Sequence, residues 1–191
     1  MSSPRLILVA GANGAGKSTL TRRLAERFSD RFGLLLDPDA IAKRIAPENP
    51  RGAGIQAARV VLSEINRCFE QRERLVIETT LSEQNRHSDL LQKASLLEYK
   101  TWLFYIGLRD ADLHLERVKQ RFTDGGHDIP DVDILRRFER SRANLPTAIR
   151  LSDRTMIYDN SGRDFKLVAS LERGILRRSS TTGWWTPLLP N

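Results

Sequence analysis

Apolar residues fall into short runs separated by longer stretches in which they recur every three or four positions. The runs Arg5–Ala10, Leu34–Leu36, 75–77, 102–106 and 155–158 are bounded by polar or turn residues, as strands covered on both faces of a parallel sheet are. Between them, Lys17–Phe28, 54–72, 88–98 and 110–122 read as helices. In the second of these, Ile55, Ala58, Leu62, Ile65 and Phe69 share one stripe, and in the last Leu115, Val118 and Phe122 repeat at helical spacing. Strands alternating with helices predict an α/β domain of three layers: a mostly parallel sheet with helices on both faces. The alternation stops near the end. Residues 165–171 and 175–178 flank Arg173-Gly174 as a hairpin closing one sheet edge. The Ser/Thr/Gly/Pro-rich stretch 179–191 reads as a loosely ordered end, with Trp184-Trp185 available to pack back on the domain.

A chain of 191 residues without an internal repeat is read as one domain over 1–191. Its one cysteine, Cys68, excludes an internal disulfide and sits in an apolar helical pattern, as a core filler does. The N-terminus enters a strand almost at once and no apolar run approaches bilayer length, so the expectation is no export signal, no membrane anchor and a cytoplasmic location. A net charge of +7 favours an acidic ligand, either nucleic acid, an anionic metabolite or an acidic protein. Aromatics make up only 7% and no basic stripe is interleaved with them, which disfavours general nucleic-acid binding.

The sharpest local signal is Gly11, Ala12, Asn13, Gly14, Ala15, Gly16, Lys17 and Ser18, which fit G-x-x-x-x-G-K-[ST] between a strand and a helix. Glycines there let the backbone approach a polyphosphate, so that N–H groups and the positive end of the helix face the anion. In this pattern Lys17 reaches the β- and γ-phosphates of ATP and Ser18 holds Mg2+.

Ligands of open α/β sheets lie beyond the carboxyl ends of the strands. Polar residues directly after apolar runs are therefore the next candidates. Asp37-Pro38-Asp39 offers two carboxylates, with Asp39 as the base toward an attacking hydroxyl and Asp37 orienting Mg2+ through water; capping of the next helix is the structural alternative for either. Glu78-Thr79-Thr80 supplies a carboxylate behind the metal and hydroxyls for an acceptor, unless it is only a strand end turning into a helix. Asp159-Asn160-Ser161-Gly162 reads as a turn.

His114, Arg117 and Arg121 fall on one polar helix face, opposite Leu115, Val118 and Phe122. A glycine-containing stretch, 123–130, follows, then a helix bearing Arg136, Arg137, Arg140 and Arg142. Arg-rich helices around a hinge suit a lid over about 110–145 that neutralises charge in a phosphoryl transition state, the alternative being a solvated basic face. His127 reads as a hinge hydrogen-bonder. With three histidines, neither a His/Cys metal cluster nor a Ser/His/Asp pattern is discernible.

Together these segments resemble the zeta-toxin family of P-loop kinases from about Arg5 to Arg178. The resemblance rests on 11–19 (ending in Thr19), Asp37 to Ala42 with Ile45-Ala46-Pro47, Ile77 to Ser82, Glu116-Arg117, Gly125 to Pro130, Arg136-Arg137-Phe138 with Ser141 and Asn144-Leu145, and Tyr158 to Ser161. It implies transfer of the γ-phosphate of ATP to the 3′-hydroxyl of a UDP-activated N-acetyl amino sugar such as UDP-N-acetylglucosamine, which starves peptidoglycan synthesis, and a small antitoxin protein as partner. It also implies Lys17 and Ser18 as phosphate and Mg2+ contacts, Asp39 as base, Glu64 and Thr80 as substrate contacts, and Arg117 and Arg121 as phosphate clamps. Two departures are visible. The chain lacks the long C-terminal extension of the plasmid-borne toxins, and Arg121 and Arg136 compete for the second clamp. Phosphorylation of another hydroxyl, or a nucleotide-switched binding module, are the rival readings.

Overall fold

Strand β1 (Arg5–Ala10) is apolar at every position after the first, and Leu6 to Ala10 are all buried. Such a strand has to be covered on both faces. A computed structural model, which describes residues 4–29, 32–50, 52–123, 129–180 and 182–190, places it in the middle of a seven-stranded sheet of order β2-β3-β1-β4-β5-β6-β7. The remaining strands are β2 (Leu34–Leu36), β3 (Leu75–Thr79), β4 (Lys100–Gly107), β5 (Arg154–Asp159), β6 (Lys166–Glu172) and β7 (Ile175–Ser179). The first five pair in parallel. The last two form the antiparallel hairpin at the edge.

The side chains of β1 alternate between two cores, as the pleat requires. Leu6, Leu8 and Ala10 join the larger one, together with residues of α2 (Pro38–Ile45), α3 (Gly54–Gln71), α4 (Gln84–Leu96) and α6 (Asp131–Leu151). Ile7 and Val9 join the smaller one beneath α1 (Lys17–Phe28). Because β1 is flanked by β3 on one side and β4 on the other, a crevice opens beyond their carboxyl ends.

Three expectations are corrected. On α3 the buried stripe is Ala57, Val61, Ile65, Cys68 and Phe69, while Ile55 is 73% and Leu62 50% exposed. Two stripes of this helix share Ile65 and Phe69, and packing against α2 selects the one carrying Ala57 and Val61. On α5 (Ala111–Thr123), His114 and Val118 are buried and Phe122 is 52% exposed. This helix rests on the glycine loop, where a Cβ on Gly14 would lie beside the His114 carbonyl and Val118.

The third correction concerns the tail, whose tryptophans pack back on the domain as expected but hold it more closely than a loosely ordered end. Trp185 is 7% exposed in the main core and Trp184 stands edge-on to it at 5.7 Å. Arg142 donates from Nη2 to the Trp184 carbonyl at 3.0 Å, and any Cβ on Gly107 would run into the Trp184 ring. Two large indoles bury enough apolar surface to hold a segment that is otherwise polar. Asp124 to Asp128, including His127 and most of the expected hinge, lie outside the described residues. The second helix of the expected lid, α6, is anchored in the core through Ile134, Ser141, Asn144, Leu145, Ala148 and Ile149. No helix among the described residues is long and apolar enough to cross a membrane.

Candidate active site

The turn from β1 into α1 carries three glycines at positive φ: Gly11 (148°), Gly14 (77°) and Gly16 (101°). At two of them the space is also taken, since a Cβ on Gly11 would run into the Ile106 carbonyl and one on Gly16 into the Asn160 amide nitrogen. Gly16 caps α1 with no side-chain hydrogen bond, so the first N–H groups of the helix remain for an anion. The loop is held from two sides. Asn160, buried at the end of β5, donates from Nδ2 to the Ala15 carbonyl at 2.9 Å. His114 of α5 bonds the Asn13 carbonyl through Nδ1 at 2.6 Å.

A carbonyl only accepts, so Nδ1 of His114 carries a proton. Burial first, then the nearby Lys17 and Arg117 charges, push the ring down to about 4 despite that bond, and it stays neutral near pH 7. The unfolded chain binds this proton below about 6.5 whereas the folded chain does so only near 4, so stability from His114 is lost as pH falls between the two. Comparing wild type with His114→Gln by urea unfolding at pH 7 and pH 5, wild type should lose on the order of 2 kcal/mol more than the variant. Equal losses would mean that the ring is charged or solvated in the folded state.

Lys17 opens α1. Its Nζ donates to the Ala12 carbonyl at 3.2 Å. Burial lowers its pKa against the opposing pull of Glu78, Asp39 and Asp37, and Arg121 lowers it further. Ser18 donates from its hydroxyl to Glu78 Oε2 at 2.9 Å. Glu78, 4% exposed at the end of β3, is pushed up by burial and drawn back by Ser18 and Lys17. Asp37 caps α2, accepting from the Asp39 and Ala40 N–H groups at 3.0 and 3.3 Å. Burial raises its pKa and those bonds oppose the rise. Asp39 lies one residue past Pro38 and is exposed.

These groups line one cavity of about 240 Å³. Asn13, Lys17, Ser18, Asp37, Asp39, Glu78, Thr80 and Arg121 all contribute to its wall, and Val61, Ile65, Ile77 and Leu90 give it an apolar floor. The sequence expectations do not all converge there. Glu64 is bound by Arg67 Nε at 2.9 Å and does not line the cavity. Arg117 donates from Nη2 to the Asn160 carbonyl at 2.7 Å, bracing the end of β5. Arg136 pairs with Asp133 at 2.8 Å, while its neighbour Arg137 lines the cavity and donates to Asn13 Oδ1 at 3.2 Å. Thr19 is exposed beside Ser18 and lies off the cavity.

Ser82, Arg86 and His87 also line the wall and were not singled out from sequence. Arg137 had a signal in its arginine cluster and Asn160 in its turn motif; His87 had none. Among the described residues, no group of three or more His, Cys, Asp or Glu side chains is gathered as a cage for a metal. Mg2+ does not need one, because it binds through one or two protein groups plus substrate phosphates, and Ser18 with Glu78 behind it suits that mode.

A family model described as an AAA domain matches residues 6–145. The chain belongs to the AAA domain family. The matched part of this AAA domain contains the glycine loop, Asp39, Glu78, Arg121 and Arg137. An uncharacterized protein of Haemophilus influenzae is 34% identical over 128 residues, which are 66% of this chain and 87% of that protein. Among solved structures, a chain of the PezAT chromosomal toxin–antitoxin system of Streptococcus pneumoniae aligns with a TM-score of 0.71 at 18% identity, over 99% of this chain and 78% of that one. A chain of AvrRxo1-ORF1:-ORF2 with ATP aligns with a TM-score of 0.66 at 14% identity, over 92% and 60%. At such identities the likeness establishes the fold, that of a P-loop NTPase.

Proposed function

We propose that this AAA domain is an ATP- and Mg2+-dependent phosphotransferase that moves the γ-phosphate onto a hydroxyl, with the 3′-hydroxyl of UDP-N-acetylglucosamine as acceptor. The observation that carries the reading is the shared cavity, which brings the loop lysine, Ser18 and the carboxylate of Asp39 together. A site of this kind works by holding donor and acceptor in line and by neutralising charge. Lys17, Arg121 and Arg137 supply fixed positive charge, and the loop N–H groups orient the phosphates. Asp39 accepts the proton of the acceptor hydroxyl as its oxygen attacks the γ-phosphorus, while the bond to the β–γ bridging oxygen breaks and its electron pair leaves with ADP. Ser18, with Glu78 behind it, would hold Mg2+, which would offset negative charge on the phosphates. Asp37, spent on capping α2, would act on the metal only through water.

The acceptor and the cellular role rest on the zeta-toxin resemblance. They imply a cytoplasmic enzyme, where ATP and UDP-sugars are found, held inactive by a small antitoxin. The test is to incubate ATP labelled at the γ-phosphate with UDP-N-acetylglucosamine, free N-acetylglucosamine, nucleosides and oligonucleotides. Label is expected in UDP-N-acetylglucosamine. Label in another acceptor would replace the sugar nucleotide but keep the kinase, and label in none at any concentration would leave a nucleotide-switched binding module.

A further inference from the structure

One buried titratable side chain on the cavity wall has no part in the transfer just described. His87, 9% exposed in the first turn of α4, bonds the Glu83 carbonyl through Nδ1 at 2.6 Å and the Thr79 hydroxyl through Nε2 at 2.5 Å. The first contact fixes the proton on Nδ1, because a carbonyl can only accept. Burial lowers the ring pKa against the Glu83 bond, so the ring is neutral near pH 7 and Nε2 is an acceptor. Thr79 therefore donates its hydroxyl proton to His87 and keeps its oxygen free to accept from the Leu81 N–H at 3.0 Å.

Leu81 is where the chain needs this help. Its φ is 57°, a left-handed conformation that leucine rarely adopts, and its side chain is fully buried. Its carbonyl is held from the other side by Asn144 Nδ2 at 2.8 Å. The two residues flanking it, Thr80 and Ser82, face the cavity with their hydroxyls 2.8 Å apart.

We propose that His87 is a positioning residue for the acceptor: by fixing the Thr79 hydroxyl it holds the turn over 79–82 so that the Thr80 and Ser82 hydroxyls meet the acceptor beside Asp39. The kinetic part of this rests on the phosphotransferase reading above. His87 acts on the Thr79 hydroxyl while the Thr79 carbonyl keeps its bond from the Gly11 N–H at 3.2 Å, so its loss should change acceptor recognition far more than ATP binding, which a general loss of structure would not do.

The experiment compares wild type, His87→Leu, His87→Gln, Thr79→Val and the double variant His87→Leu/Thr79→Val. With ATP and UDP-N-acetylglucosamine, His87→Leu should raise the acceptor KM about tenfold while the ATP KM moves less than twofold. His87→Gln, whose amide oxygen can accept from Thr79, should recover part of the loss. The double variant should be no worse than Thr79→Val, since both changes break the same link. Amide hydrogen exchange by NMR provides a readout that needs no acceptor: exchange at Leu81 should quicken about tenfold in His87→Leu, with the β1 amides unchanged. If wild type does not phosphorylate UDP-N-acetylglucosamine, the acceptor assignment fails and the exchange measurement still decides the role of His87. Unchanged exchange at Leu81, or acceptor and ATP KM values rising together, would overturn the proposal.

Discussion

Lys17→Ala is expected to lower ATP-dependent phosphorylation by about a thousandfold or more, with the protein still folded. The argument is local. Lys17 contributes one hydrogen bond, to its own loop at Ala12, and takes no part in either apolar core. What it supplies is positive charge in a partly desolvated site facing Glu78, Asp39 and Asp37. Without it those carboxylates face the incoming phosphates with only Arg121 and Arg137 to offset them, and like charges at short range in a site poor in water repel strongly. The far-ultraviolet circular dichroism and thermal midpoint of the apo protein should therefore stay close to wild type, while the rise in midpoint on adding Mg2+ and ATP should disappear. A variant that kept that rise and turned over normally would remove the loop from the mechanism.

Asp39→Asn should act differently. It should lower the transfer rate by roughly a hundredfold to ten-thousandfold, the range expected for losing a general base, with ATP affinity unchanged. Asp39 is exposed, its N–H donates to the Asp37 carboxylate and its charge is felt by Lys17, so asparagine keeps the shape and removes the charge. Single-turnover transfer with ATP already bound isolates this step. A loss of ATP binding would instead make Asp39 a group that holds metal or phosphate.

The covered position of β1, the alternation of strands with helices and many element bounds follow from features a reader of the chain can see, whereas the strand order does not. Leu6 to Ala10 are apolar without interruption because the strand is central, and α1 begins at Lys17 because the preceding glycine can adopt the left-handed cap. The part of the site carried by local grammar is legible for the same reason: Lys17 and Ser18 follow a glycine pattern, and Asp39 and Glu78 follow strand ends. The parts that failed depend on packing between distant elements. The choice between two overlapping stripes on α3 is made by α2. Arg137 reaches Asn13 across 124 positions of chain, and Arg117 turns away to the Asn160 carbonyl, so no spacing within α5 or α6 reveals which guanidinium faces the cavity. His87 is invisible for a further reason: its role depends on a left-handed leucine, which sequence gives no cause to expect. Glu64 shows the converse. Its neighbours Val61 and Ile65 line the cavity while its own carboxylate is taken by Arg67.

All of this depends on the first loop gripping a triphosphate opposite a carboxylate that faces the acceptor. Equilibrium binding of ATP with Mg2+ to wild type, Lys17→Ala and Asp39→Asn, read by calorimetry, tests that arrangement most directly. Wild type and Asp39→Asn should bind alike, with Lys17→Ala weaker by about a hundredfold. Equal binding by all three would contradict it.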